Sequence, residues 1–153
     1  EDTQYPGDYV IAKNRVSLNQ KYGIWLYAED NSNIFRYIIA ENTVSGSGTD
    51  GTVTGDGIRI RNTMNGVIQG NKLSDNEGAG IRIEDSSSGT QSNQLNFLGN
   101  NSSGTQEYGM YVGAYLTDSI VVGNVLQGTT AGLDKSSNSN YNDTCHFAHN
   151  VDW

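Results

Sequence analysis

A short apolar segment that ends in asparagine recurs six times along the chain, and this repeat constrains the fold more than any other feature. Successive asparagines are 24 to 29 residues apart, a period typical of solenoids, in which each coil stacks on the one before it. The residue three positions before each asparagine is always apolar, as expected for a buried strand in constant phase with a turn. The asparagines are Asn14, Asn42, Asn71, Asn100, Asn124 and Asn150, preceded by Ile11, Ile39, Ile68, Phe97, Val121 and Phe147.

Asparagine suits this repeated position for two reasons. It tolerates the left-handed backbone conformation that turns a strand. Its amide can also bond the equivalent amide one coil above and one coil below. We therefore expect the six asparagines to form a ladder along the solenoid axis and to supply the left-handed turn residue.

A second repeat has the same phase. A glycine precedes an alternating strand at residues 23–27, 57–61, 80–84 and 109–113, with a weaker copy from Gly132. In the four good copies the first and third residues after the glycine are apolar, which is the period of a half-buried strand. Each coil is thus predicted to contain two strands in constant phase, joined by loops of variable length.

Composition narrows the class of partner. The chain has 153 residues and a net charge of −8, so we expect one domain that binds neither nucleic acid nor an anionic membrane. No apolar run reaches the roughly 18 residues of a membrane-spanning helix. The single cysteine, Cys145, excludes an internal disulfide and has the strand parity of Phe147, so we expect it in the core.

The repeated Gly-Ile-x-Ile strand, followed by an Ile-x-x-Asn-x-Val strand, resembles the right-handed parallel β-helix superfamily. That superfamily includes pectate-lyase-like proteins, the catalytic modules of alginate epimerases and phage tailspikes. The resemblance covers nearly the whole chain. It implies an all-β, right-handed parallel β-helix of about five to six coils with an internal asparagine ladder, in a single domain over residues 1–153.

The chain is similar to the later coils of such proteins, because it shows no amphipathic segment for an N-terminal capping helix. Open solenoid ends expose unpaired strand edges. We therefore expect a fragment, or a subunit whose ends are covered by further coils, by homo-oligomerisation or by end-to-end stacking. The resemblance also implies an extracellular location, or one on a cell or virion surface, and an acidic polysaccharide as partner. The Asp-Pro-His-Glu run of epimerases is absent, since the only proline is Pro6.

The glycine-initiated strands bring arginines and aromatic residues to one outward face. Aromatic rings stack on sugars, and guanidinium groups bind carboxylates bidentately, so this face suits an acidic polysaccharide. The alternative is cross-strand stabilisation, with Arg61 or Arg82 paired with Glu84 and Arg59 stacked on Trp25 or Tyr111. The candidate substrate-binding residues are Trp25, Arg59, Arg82 and Tyr111, with Tyr27 and Arg61 at the edge.

Carboxylates flank the same face and allow an enzymatic alternative. A glycosidase needs two carboxyl groups about 5–10 Å apart, and Asp56 with either Glu77 or Glu84 is the best candidate pair. The chain would then be a fragment of a polysaccharide lyase, hydrolase or epimerase. A third hypothesis is a structural stalk or self-assembling filament subunit without a ligand.

No cofactor is expected, although calcium could bind at Asp50 and Asp56. A metal site at Cys145 and His146 is not expected, because neighbouring strand residues point to opposite faces.

Overall fold

The computed structural model describes residues 5–28, 34–48, 55–84, 92–104, 106–113, 116–135 and 145–152. In these ranges all regular secondary structure is β-strand, and the strands pair in parallel within three sheets. The chain visits the three sheets in turn and then repeats the circuit. The prediction of an all-β parallel solenoid is therefore confirmed.

Three sets of strands form the sheets, each set in chain order. Sheet A contains Tyr5–Ala12, Ile34–Ala40, Thr63–Gln69, Asn96–Leu98, Ile120–Val122 and His146–Ala148, extended at one side by Ser92–Asn93 and Leu116–Thr117. Sheet B contains Arg15–Ser17, Thr43–Ser45, Lys72–Ser74, Asn101–Ser103, Val125–Leu126 and Val151–Asp152. Sheet C contains Ile24–Tyr27, Ile58–Arg61, Ala79–Glu84, Tyr108–Val112 and Ala131–Asp134.

The predicted asparagine ladder runs along the corner between sheets A and B. Asn71 shows the pattern: its backbone N–H and its Nδ2 donate to Oδ1 of Asn100 at 3.1 and 2.9 Å. The same Nδ2 donates to the carbonyl oxygen of Ile39, in the preceding coil, at 2.9 Å. Equivalent side-chain bonds join every neighbouring pair from Asn14 to Asn150. The amides are thus satisfied inside the wall, where an unpaired polar group would be costly.

The left-handed turn residue is not the asparagine, as the sequence suggested, but the residue before it. Its φ is between 53° and 66° in all six copies, whereas none of the ladder asparagines has a positive φ. The asparagine follows the bend and can therefore direct its amide into the stack. The left-handed residues are Lys13, Glu41, Gly70, Gly99, Gly123 and His149.

The core consists of rows of apolar side chains, one from each coil. On sheet A the inward row includes Ile39, Ile68 and Phe97, all fully buried, as the sequence predicted. Cys145 packs against this core, and its Sγ lies 3.2 Å from the carbonyl oxygen of Leu116. The inward residues of sheet C are Ile24, Ile58, Ile81, Met110, Leu26, Ile60, Ile83, Val112 and Leu133.

The outward faces of the three sheets differ in chemistry. Sheet A presents a mostly apolar row in which Val10, Ile38 and Ile120 are exposed and which also contains Asn96 and His146. Sheet B presents a row of serines in register, from Ser17 to Ser103. Sheet C carries charged and aromatic side chains. Sheet B also carries the exposed cations Arg15 and Lys72, but on sheet C several arginines and aromatic rings lie side by side, a combination suited to recognise a ligand.

Candidate functional site

The outward residues of sheet C lie in two rows that cross the strands. In the first row Trp25 pairs with Arg59, Arg59 with Arg82, and Arg82 with Tyr111. In the second row Arg61 lies between Tyr27 and Glu84. The structure thus brings together the six residues that the sequence singled out for substrate binding, while their binding role stays a prediction.

Asp56 is at the centre of the face but beneath its surface, with its side chain fully buried. Both of its oxygens accept from Nε of Arg82, at 2.9 and 3.0 Å. Oδ2 also accepts from Nη1 of Arg59 at 3.2 Å, and Oδ1 from the backbone N–H of Ala79 at 2.9 Å. Burial raises the pKa of Asp56 above its usual range, and the charge of Arg82, this N–H and Arg59 oppose the rise.

Arg59 connects Asp56 to a second carboxylate. Its Nε and Nη2 donate to Oε2 of Glu84 at 2.9 and 2.6 Å. The net effect of its surroundings is to raise the pKa of Arg59 above its usual value. Burial alone would lower this pKa, but the hydrogen bond to Glu84 and the charges of Glu84 and Asp56 have the larger combined effect. The Arg59 side chain is 15% exposed and that of Glu84 is 35% exposed, so this ion pair is partly open to solvent.

Aromatic rings flank the guanidinium groups. Cζ of Arg82 lies 4.3 Å from the ring centroid of Tyr111, Cζ of Arg59 lies 4.6 Å from that of Tyr22, and Cζ of Arg61 lies 5.3 Å from that of Tyr27. Such distances are typical of cation–π contacts. Each of these arginines therefore packs against a tyrosine ring, and together they form one layer on the face.

Trp25 connects the tyrosines at one end of this layer. Its ring centroid is 5.1 Å from that of Tyr22 and 5.2 Å from that of Tyr27. Trp25 is 52% exposed and Tyr27 is 39% exposed, whereas the arginines next to them are largely covered. The most accessible aromatic surface of sheet C is thus at the Trp25 end.

The observed partners differ from the predicted ones. The sequence suggested that Arg61 or Arg82 pairs with Glu84, but Arg59 holds Glu84 and Arg82 holds Asp56. The sequence also placed Arg59 on Trp25 or Tyr111, whereas its guanidinium lies over Tyr22.

Tyr22 was missed because it precedes the glycine that begins the strand. Tyr22 and Asp56 occupy this position in consecutive copies, immediately before Gly23 and Gly57, and Tyr108 occupies it two copies later. Comparing the residue before each glycine, in addition to those after it, would have identified this third row.

The three carboxylates proposed for catalysis do not form an open pair. Asp56 is enclosed, and its oxygens already accept from two arginines. Glu84 is bound to Arg59. The exposed Glu77 lies elsewhere, with its carboxylate against Gly48. A general acid must reach the glycosidic oxygen, and buried Asp56 has no oxygen directed to solvent.

Asp50, expected with Asp56 to bind calcium, lies outside the described residues. The oxygens of Asp56 face guanidinium groups, which compete with a cation. Within the described ranges, no three His, Cys, Asp or Glu side chains are grouped so as to hold a metal ion. In the same ranges, no helix has the length and hydropathy to cross a membrane.

Of the comparisons with known proteins, only the one with family models gives a match. No curated protein matches it, and no solved structure does. A family model described as the right handed beta helix region matches residues 4–151, which include every described strand residue except Asp152. The match agrees with the three parallel sheets and the asparagine ladder, and the chain belongs to the right-handed β-helix family.

Proposed function

We propose that the chain is a carbohydrate-binding β-helix module and that an acidic polysaccharide lies along the outward face of sheet C. The observation that carries this proposal is the exposed pair Trp25 and Tyr27 beside a row of arginines in register with them. Exposed tryptophan has no role in the core, and its ring face is suited to stack on a sugar.

The dimensions of the face suit an extended ligand. Neighbouring parallel strands are about 4.8 Å apart, so the row from Trp25 to Tyr111 spans about 14 Å. This length exceeds that of one sugar ring and corresponds to a short oligosaccharide. The ligand would run along the solenoid axis, across the strands.

The charges on the face favour an acidic ligand at the Trp25 end. Arg59, Arg61 and Arg82 are here, and the carboxylates within the same network are Asp56 and Glu84. Among the described residues, three arginines and two carboxylates thus line this face of a chain whose net charge is −8. Asp134 is in register with Tyr111 at the opposite end of the row. The side chains of the face therefore change from basic near Trp25 to acidic at the Asp134 end. A uronate-containing chain fits this pattern, and it would be met outside the cell or on a cell or virion surface.

Binding assays with matched variants test the proposal. Isothermal titration with galacturonate and alginate oligomers should show binding by the wild-type chain and its loss in Trp25→Ala. Tyr9→Ala is the control, because Tyr9 is exposed at 43% but lies on sheet A. Loss of binding in both variants, or in neither, would contradict the proposed site.

The specific competing function is a structural module without a ligand. It is favoured by the cation–π contacts, because each arginine of the face already stacks on a tyrosine. In that case Trp25→Ala and Arg82→Ala would lower the melting temperature, and no acidic glycan would bind the wild-type chain. Electron microscopy that shows concentration-dependent fibres would then support a stalk or filament subunit.

A further inference from the structure

We propose that Glu84 is an internal ligand on Arg59, occupying a carboxylate subsite from which the carboxylate of an acidic sugar displaces it. The inference rests on the function proposed for sheet C: Arg59 selects acidic over neutral sugars, and Glu84 occupies its guanidinium until an acidic sugar binds. It concerns the Nε and Nη2 edge of the Arg59 guanidinium.

The geometry of this edge is that of a carboxylate site. Nε and Nη2 are neighbouring donors of one fork, which can bind the two oxygens of a carboxylate side by side. Glu84 uses the fork with one oxygen only, since both bonds, at 2.9 and 2.6 Å, end on Oε2. A ligand carboxylate could therefore replace Glu84 and engage the same fork with both of its oxygens.

The two carboxylates on Arg59 are not equivalent. Asp56 is fully buried and also binds Arg82 and the backbone N–H of Ala79, so its removal would disturb three partners. The side chain of Glu84 is 35% exposed, and Glu84 is the last residue of its strand. Asp56 thus positions Arg59 permanently, while Glu84 lies on the solvent side of the same guanidinium.

Exchange at this subsite conserves charge. Arg59 is only 15% exposed, and donors that are largely removed from water require a partner. A uronate carboxylate can supply that partner when Glu84 leaves, whereas a neutral sugar cannot replace the lost charge. Glu84 would thus compete only with ligands that bring a carboxylate to the Arg59 fork, and neutral ligands would leave it in place.

Rescue by a small carboxylate tests the subsite without any sugar. In Glu84→Ala, acetate should raise the melting temperature in a saturable manner, relative to chloride at the same ionic strength. The same acetate should leave the wild-type chain and Glu77→Ala unchanged, since Glu77 is exposed and outside the network. An acetate response in Glu84→Ala no greater than in Glu77→Ala would overturn the proposal.

A conservative variant tests displacement by the sugar. Glu84→Gln keeps the shape of the side chain but weakens its bond to Arg59. The loss of one charge-assisted hydrogen bond changes an equilibrium constant roughly tenfold or more. Galacturonate oligomers should therefore bind Glu84→Gln roughly tenfold more tightly than wild type, while neutral galactose oligomers bind both equally. Weaker galacturonate binding by Glu84→Gln would mean that Glu84 is a structural support and would overturn displacement.

The two experiments separate this inference from the function on which it rests. Acetate rescue, together with an absence of galacturonate binding by wild type and by Glu84→Gln, would support the Arg59 subsite and overturn the proposed polysaccharide ligand. Galacturonate binding that depends on Trp25, without acetate rescue or tighter binding by Glu84→Gln, would support the polysaccharide ligand and overturn the role of Glu84.

Discussion

Nη2 of Arg59 and Oε2 of Glu84 are 2.6 Å apart, although 25 residues of chain separate the two side chains. They meet because successive coils stack in register, so that the strand of Arg59 pairs with the strand of Glu84. The candidate site is therefore a consequence of coil spacing, and the asparagine ladder helps to keep that spacing constant.

The first prediction concerns the ladder. Asn71→Ala would remove the acceptor of Asn42 and the donors to Asn100 and Ile39. Leaving such buried groups unpaired should lower the free energy of unfolding by about 3 kcal/mol. Asn14→Ala is the control, because Asn14 is exposed at the end of the ladder, and it should cost less than about 1 kcal/mol. Urea denaturation measures both, and equal losses would contradict the ladder account.

The second prediction concerns alkaline pH. Burial raises the pKa of Tyr37 well above its usual value, and the hydrogen bond to Thr63 only partly opposes this. The native state then retains a proton that the unfolded chain loses above about pH 10, so the contribution of Tyr37 to stability is constant below that pH and falls above it. In Tyr37→Phe the fall should be less steep, by up to about 1.4 kcal/mol per pH unit.

Urea midpoints between pH 8 and 11 measure this slope. The control is Tyr9→Phe, because Tyr9 is 43% exposed, and it should keep the wild-type slope. If Tyr37→Phe also keeps it, ionisation of Tyr37 does not limit stability at alkaline pH.

The third prediction concerns the close contact that begins each strand of sheet C. A Cβ at Gly57 would be 2.7 Å from the carbonyl oxygen of Gly80 and 2.8 Å from Nδ2 of Asn76. Gly57→Ala should therefore push adjacent coils apart and cost about 1–3 kcal/mol. Gly99→Asn should be nearly neutral, because nothing lies within 4 Å of a Cβ there and asparagine tolerates the positive φ. Melting temperatures compare the two, and a larger loss in Gly99→Asn would be contrary to this packing.

The fourth prediction separates charge from stacking. Arg61→Gln should weaken binding of galacturonate oligomers several-fold, because the Arg61 guanidinium lies over the ring of Tyr27, where the proposed ligand would bring a carboxylate. The effect should shrink with added salt, which screens partly exposed charges, and neutral oligomers should be unaffected. Arg36→Gln is the matched control, since Arg36 is exposed on sheet A and paired with Asp8. An equal loss of galacturonate binding in both variants would indicate that binding depends on the net charge of the chain and not on the position of Arg61.

Repeats in the sequence were sufficient to predict the rows but not the contacts within them. The phase of the glycines placed Arg59 beside Arg82, because strand parity and coil stacking depend only on spacing. Which carboxylate each guanidinium binds depends on side-chain rotamers and on the depth of Asp56, which spacing does not determine. The left-handed bend was assigned to the asparagine instead of to the residue before it, because either position can turn the chain.

The most direct test of the account is a crystal structure of the chain with a galacturonate oligomer. The oligomer is expected to cross the outward face of sheet C, with a sugar ring on Trp25 and a carboxylate on the Nε and Nη2 edge of Arg59 in place of Glu84. An oligomer bound to sheet A or sheet B, with Arg59 still holding Glu84, would contradict it.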